Sequence, residues 1–202
     1  MKTSINLKPC VKSTRNTLEK QQKMTQHLSL LSVFLILFVA SSSSISAKVV
    51  EVNVINKEAS KPSNCSYLLN SKPGGANGVD LIHLAEYILD VLDHNMTDTY
   101  KLIIQLQSGD NPTIINYYDC CSLDFFNVDT ATIRLVDAKL DFQVKHYQAM
   151  AKDTADVMKC LLECSNSLKE NETSPLLAKY VDHLQQGVQV LQIITKYLIA
   201  GK

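Results

Sequence analysis

Beyond residue 47 the side chains with chemical potential are five cysteines, Cys65, Cys120, Cys121, Cys160 and Cys164, and four histidines, His83, His94, His146 and His183. Cys160-Leu-Leu-Glu-Cys164 is a CxxxC run, whereas a redox dithiol is spaced CxxC. The chain carries no GxSxG elbow, HExxH, phosphate-binding loop or GxGxxG. A di-iron bundle needs Glu-x-x-His pairs on facing helices. None of the four histidines has a glutamate three residues before it. No catalytic residue, metal site or cofactor is therefore predicted, and the chemistry that remains is disulfide formation.

The elements that would position those cysteines follow from apolar spacing. Ile114, Tyr118, Cys121, Phe125, Val128, Thr132 and Leu135 recur at steps of three and four. After a polar break near Lys145 the pattern resumes with Tyr147, Met150, Thr154, Val157, Leu161, Cys164 and Leu168. Each set occupies one side of a helix, so the spacing predicts two long antiparallel helices. Cys121 lies on its stripe and Cys120 about 100° away from it. The predicted staple is Cys121–Cys160. Cys65, Cys120 and Cys164 are left for a further disulfide or a free thiol, with Cys120 able to reach Cys164 or Cys65.

Disulfides imply an oxidising compartment, and the N-terminus supplies a route to one. His27 to Ala40 is an uncharged apolar run followed by Ser41 to Ala47, a signal-peptide core with small residues before its cleavage point. Residues 1–47 are read as that signal, with Met24 as an alternative start. The run is shorter than the roughly twenty apolar residues of a membrane span, so no stable membrane insertion is expected after cleavage. The segment holds 6 basic residues and 1 acidic residue of the chain's 20 and 20, which leaves 14 against 19 and a net charge of −5. A mildly acidic domain has no electrostatic case for nucleic acid and suits a basic protein surface. Sequons at Asn95, Asn171 and, less favourably, Asn64 fit a secreted glycoprotein.

Residues 48–78 read as an N-terminal arm or hairpin remnant. Lys48 to Ile55 alternates like an extended arm, any helix up to Asn70 is short, and Lys72 to Gly78 is a breaker cluster. Residues 79–202 contain four helical segments: Val79 to Ser108, Asn111 to about Asp141, Lys145 to about Ser165, and one opening at Thr173 or Ser174 with Pro175 in its first turn. Pro112 and Pro175 each stand where a missing N–H costs nothing. Four such helices with short connections predict an all-α, up-down-up-down four-helix bundle behind a short, partly degenerate helical extension.

A secretion signal, then Cys121 with Phe125 in the second bundle helix and Cys160 late in the third, resembles the plant invertase and pectin methylesterase inhibitor family. Asp141-Phe-Gln-Val-Lys-His-Tyr147 is similar to the turn between those helices in invertase-inhibitor-like members, and Tyr180-Val181 with Ile193 to Leu198 is similar to their last helix. Cys65 fits the second of the two cysteines that close the family's N-terminal hairpin; the first would fall near Asn56, which is not cysteine. Lys145-His146-Tyr147 is the nearest match to the Pro-Lys-Phe stretch of invertase inhibitors.

The resemblance implies a non-enzymatic, extracellular (apoplastic) inhibitor that binds one enzyme molecule and covers its cleft. Pectin methylesterase is the favoured target and acid invertase the alternative. A non-inhibitory secreted bundle with a ligand-binding or signalling role is a third reading. The expected contact face is the turn into the third bundle helix, with Lys145, His146, Tyr147, Gln148, Lys152 and Asp153; the competing reading of Tyr147 is as the first core residue of that helix.

Overall fold

A computed structural model describes residues 51–109, 112–126, 129–169 and 173–201. The signal segment and the sequon asparagine Asn171 lie outside these residues, as does Asn111. Seven helices follow in order: α1 Val52–Glu58, α2 Pro62–Asn70, α3 Leu81–Gln107, α4 Pro112–Phe126, α5 Ala131–Gln143, α6 Tyr147–Lys169 and α7 Pro175–Ile199. Helices α3, α4 with α5, α6 and α7 form the four-helix bundle, and the described residues contain no strand.

Two of the long helices, α3 and α7, begin where a side chain supplies a cap. Asp80 accepts a hydrogen bond from the His83 N–H at 2.9 Å, satisfying one of the four open donors at the start of α3. Ser174 does the same for Leu177 in α7, and the Tyr118 hydroxyl accepts from the Ser174 N–H at 3.0 Å, tying this cap to α4. The core is built from stripes facing inward: Leu84, Ile88 and Leu92 of α3, Tyr118 and Phe125 of α4, Met150, Val157 and Leu161 of α6, and Leu177, Leu184, Val188 and Ile194 of α7. Thr99, the polar step in the α3 stripe, is fully buried, and its hydroxyl donates to the Asn95 carbonyl at 2.7 Å. Its burial therefore leaves no unmet donor.

Three expectations require correction. The arm expected over Lys48 to Ile55 is helical from Val52, because Val52 and Ile55 share one face of α1 and both are buried. The second bundle helix is two helices rather than one. A continuous helix would place Ala131 about 240° round from Phe125, facing solvent. Asp129 instead takes a left-handed conformation (φ 65°) and Thr130 an extended one, which resets the phase so that Ala131, Leu135 and Ala138 face the core.

The third correction concerns the staple. Cys121 is bonded to Cys164, not Cys160, with Cα atoms 4.5 Å apart. Cys164 lies on the inward stripe of α6 with Val157, Leu161 and Leu168, whereas Cys160 is one residue, about 100°, away from Leu161. Both bonded cysteines are fully buried. The Cys160 thiol sits 3.8 Å from the Asp129 carbonyl, and burial pushes its pKa up to about 11. Cys120 is half-buried on α4, outside this bridge.

The N-terminal hairpin of α1 and α2 lies against α7 without a disulfide. Cys65 is buried in it as a free thiol, also pushed up to about 11 by burial, so little thiolate is available near neutral pH. Ile55 and Leu69 anchor the hairpin from within. Polar ties run along its edge: Glu58 accepts from Lys196 at 2.7 Å and from the Tyr197 hydroxyl, the Ser60 hydroxyl donates to Gln189 at 2.7 Å, and Lys61 pairs with Asp182 at 2.7 Å.

Helices α3 and α7 approach closely at Gly187, where an added Cβ would stand 2.8 Å from Leu92 Cδ2. Leu92 is itself buried and has little room to retreat. Gly187→Val is expected to destabilise the fold by about 1–3 kcal/mol, the range of core overpacking. A urea titration with an unchanged midpoint would refute that account of the α3–α7 contact.

Candidate partner-binding surface

The end of α5 sets up the surface. Three backbone bonds close it: Val144 N–H to the Leu140 carbonyl, Lys145 N–H to Phe142 and His146 N–H to Asp141, at 3.1, 3.0 and 2.8 Å. This six-to-one closure places Lys145 at the position glycine usually takes, with φ 61°. A lysine there accepts backbone strain that glycine would avoid. Its side chain is exposed, as are those of His146 and Gln148, and α6 starts immediately with Tyr147.

Lys145, His146, Tyr147 and Gln148 line a shallow, open hollow whose other wall is Leu198 and Ile199 of α7. The structure thus brings four of the six expected contact residues together. Tyr147 is partly buried against the core, and burial raises its hydroxyl pKa. It therefore both packs inward and borders the hollow. Lys152 is exposed on the next turn of α6, paired with Asp156 at 3.0 Å.

Asp153 does not belong to an exposed face. Only 7% of it is accessible. Its carboxylate accepts from Arg134 Nη1 at 3.4 Å, and burial, followed by a hydrogen bond with Asp141, raises its pKa. Arg134 is shared among Asp129, Asp137, Asp153 and Asp156. Burial works against its charge, but these four carboxylates outweigh burial and hold the guanidinium protonated. The cluster fastens α5 to α6 and is a poor candidate for direct contact.

A feature beyond the expected residues adjoins the hollow. Ile133, Val136, Leu140 and Val144 form a ridge along the outer side of α5, each between 47% and 60% exposed. They stand at i, i+3, i+7 and i+11, opposite the inward residues Ala131, Leu135 and Ala138. The ridge is about 16 Å long at 1.5 Å per residue and ends at Lys145. Four large apolar side chains in line, rather than scattered singly, are the pattern of an interaction site. The sequence carried this signal, but reading α4 and α5 as one helix put the wrong phase on it.

Among the described residues there is no cluster of three or more His, Cys, Asp or Glu side chains arranged for a metal, and no helix long and apolar enough to cross a membrane. The sequon asparagines Asn64 and Asn95 are each half-buried, on α2 and α3.

No protein-family profile and no curated protein matches the sequence. Solved structures do match the fold. The crystal structure of mutant form A of a pectin methylesterase inhibitor from Arabidopsis aligns with a TM-score of 0.65 at 19% identity, covering 72% of this chain and 95% of that one. The chain has the pectin methylesterase inhibitor fold. A second inhibitor structure, from Arabidopsis thaliana, aligns with a TM-score of 0.56 at 19% identity over 78% of this chain and 97% of that one. Nearly the whole length of each inhibitor is thus represented here. What the two share with this chain is the all-helical fold.

Proposed function

We propose that the protein is a secreted, non-catalytic inhibitor that binds a pectin methylesterase one to one and covers its substrate cleft. The observation that carries this reading is the match of its fold to nearly the full length of two pectin methylesterase inhibitors. The ridge on α5 and the hollow at Lys145 to Gln148 supply the docking face. A rigid helix presenting preordered apolar side chains loses little entropy when it docks. With the signal segment removed the chain carries a net charge of −5, which favours a partner with basic residues around an apolar groove. Lys145 and His146 at the tip would meet acidic groups of such a partner.

The test is inhibition of purified plant pectin methylesterase and acid invertase, side by side at mildly acidic pH, by the oxidised protein. Block of the esterase at stoichiometric concentration is expected. Block of invertase alone would reassign the target, and block of neither would overturn the inhibitor reading in favour of a non-inhibitory bundle. Leu140→Glu puts a charge in the middle of the ridge without touching the core, and is expected to weaken inhibition at least about 30-fold, the effect of a 2 kcal/mol contact. Its thermal midpoint should stay near that of the parent. Undiminished inhibition by Leu140→Glu would remove the ridge from the interface.

A further inference from the structure

On the side of the bundle formed by α3 and α7, helix α2 closes a groove of about 160 Å³. Its apolar floor includes Cys65, Leu68 and Val190, and Asn64, Asn95 and Tyr67 are among the residues that line it. Two of these side chains have no evident reason to be there. Tyr67 is 78% exposed, the most exposed large hydrophobic side chain among the described residues. Asn95 is half-buried at the edge of the inward stripe of α3, beside Leu92, Met96 and Thr99. Asn95-Met96-Thr97 is an N-glycosylation sequon, so this polar side chain at the groove is a potential attachment point.

We infer that this groove seats the first sugar of an N-glycan carried on Asn95, with the sugar's C–H face against the Tyr67 ring. The inference rests on the secretory part of the proposed function, since the donor is a lipid-diphosphate-linked oligosaccharide met in that route. Asn95 Nδ2 forms the bond to sugar C1, the C1–O bond to the diphosphate breaks, the amide gives up one proton, and the lipid diphosphate leaves. The transfer takes place on the nascent chain before α3 folds, so the finished fold must have room for the sugar. The groove provides it. Apolar floor residues receive the N-acetyl methyl group, and on the α7 wall the Gln186 amide oxygen and the Gln189 amide N–H, the ends not engaged by Asp182 and Ser60, offer partners to the hydroxyls.

Asn64 opens on the same groove from α2. The middle residue of its sequon, Cys65, is buried in the floor. A groove of this size holds one ring, and Asn64-Cys65-Ser66 is the less favourable sequon, so Asn95 carries the sugar and Asn64 stays unmodified.

The test uses the full chain expressed in a eukaryotic secretory host. Peptide mass spectrometry after enzymatic deglycosylation in heavy-oxygen water should mark Asn95 and not Asn64. Trimming the glycan to its first sugar should leave the thermal midpoint unchanged, whereas complete removal should lower it by about 2–4 °C. Tyr67→Ala, a surface change that leaves the core intact, should abolish that difference. Secreted protein with Asn95 unmodified would overturn the inference alone, as would a glycosylated Asn95 whose removal leaves the midpoint unmoved. Protein that is retained in the cell with every sequon unmodified would overturn both the inference and the secretory reading beneath it.

Discussion

Replacing Cys121 and Cys164 together by alanine is expected to lower stability by about 2–4 kcal/mol, a loss of roughly 10 °C in thermal midpoint for a protein of this size. The bridge joins α4 to α6 across a sequence separation of 43 residues. Closing a loop of that length limits the unfolded chain by about 4 kcal/mol in the chain-entropy model, and real bridges commonly deliver less. Both sulfurs are fully buried, so the alanine pair also loses packing in the α4–α6 seam. Helix melting followed by circular dichroism is the measurement, with Cys160→Ala as the control. Cys160 is half-buried and outside the bridge, so its replacement should change the midpoint little. If Cys160→Ala costs as much as Cys121→Ala, the pairing described for this fold is wrong.

The second large effect is a pH dependence centred on Asp124. This residue sits on α4 against α6, where burial and then the negative charge of Glu163 push its pKa up to about 7. Cys160, an uncharged thiol at these pH values, is the other neighbour that interacts with it. Lys159 lies on the same turn of α6 but pairs with Glu163 at 4.0 Å. In the unfolded chain Asp124 would titrate near the ordinary value of about 3.9.

The folded protein therefore holds a proton that the unfolded chain has released anywhere between pH 4 and pH 7. Folding is favoured by that difference at low pH, and the advantage is lost as pH rises through this window and is gone above about pH 7. Three pKa units correspond to at most about 4 kcal/mol. Asp124→Asn keeps the shape and removes the charge. It should raise stability by about 2–4 kcal/mol at pH 7.5 and by almost nothing at pH 4. Denaturant midpoints for the two proteins at both pH values decide the matter, and a constant offset between them would refute the role given to Asp124.

The periodicity of the long helices was enough to place α3, α6 and α7 to within a few residues, because each holds one inward stripe for more than six turns. It failed where the phase changes. Asp129 and Thr130 make the turn and the N-cap position inside an otherwise apolar pattern, and their significance was hidden because Val128 and Thr132 continue the old spacing in the sequence by coincidence. The same geometric rule that separated Cys121 from Cys120 also separates Cys164 from Cys160. Applied to both helices, it selects the observed bridge.

The surface was harder to read than the core. Lys145, His146, Tyr147 and Gln148 could be grouped from their adjacency at a turn, since a turn keeps sequence neighbours together in space. Asp153 could not be placed in the same way. Its burial depends on Arg134, nineteen residues earlier on α5, and no local pattern reports a contact between two helices. The wall that Leu198 and Ile199 give to the hollow comes from still farther away.

The break before α5 also separates two kinds of constraint on one short helix. Ala131, Leu135 and Ala138 must satisfy the bundle, while Ile133, Val136, Leu140 and Val144 lie outside the buried core, each about half exposed. Changes on the outer line carry less of the packing cost that governs the inner one. A lineage of such chains could alter what this face presents by rewriting four side chains, with the stapled seam behind them unaltered.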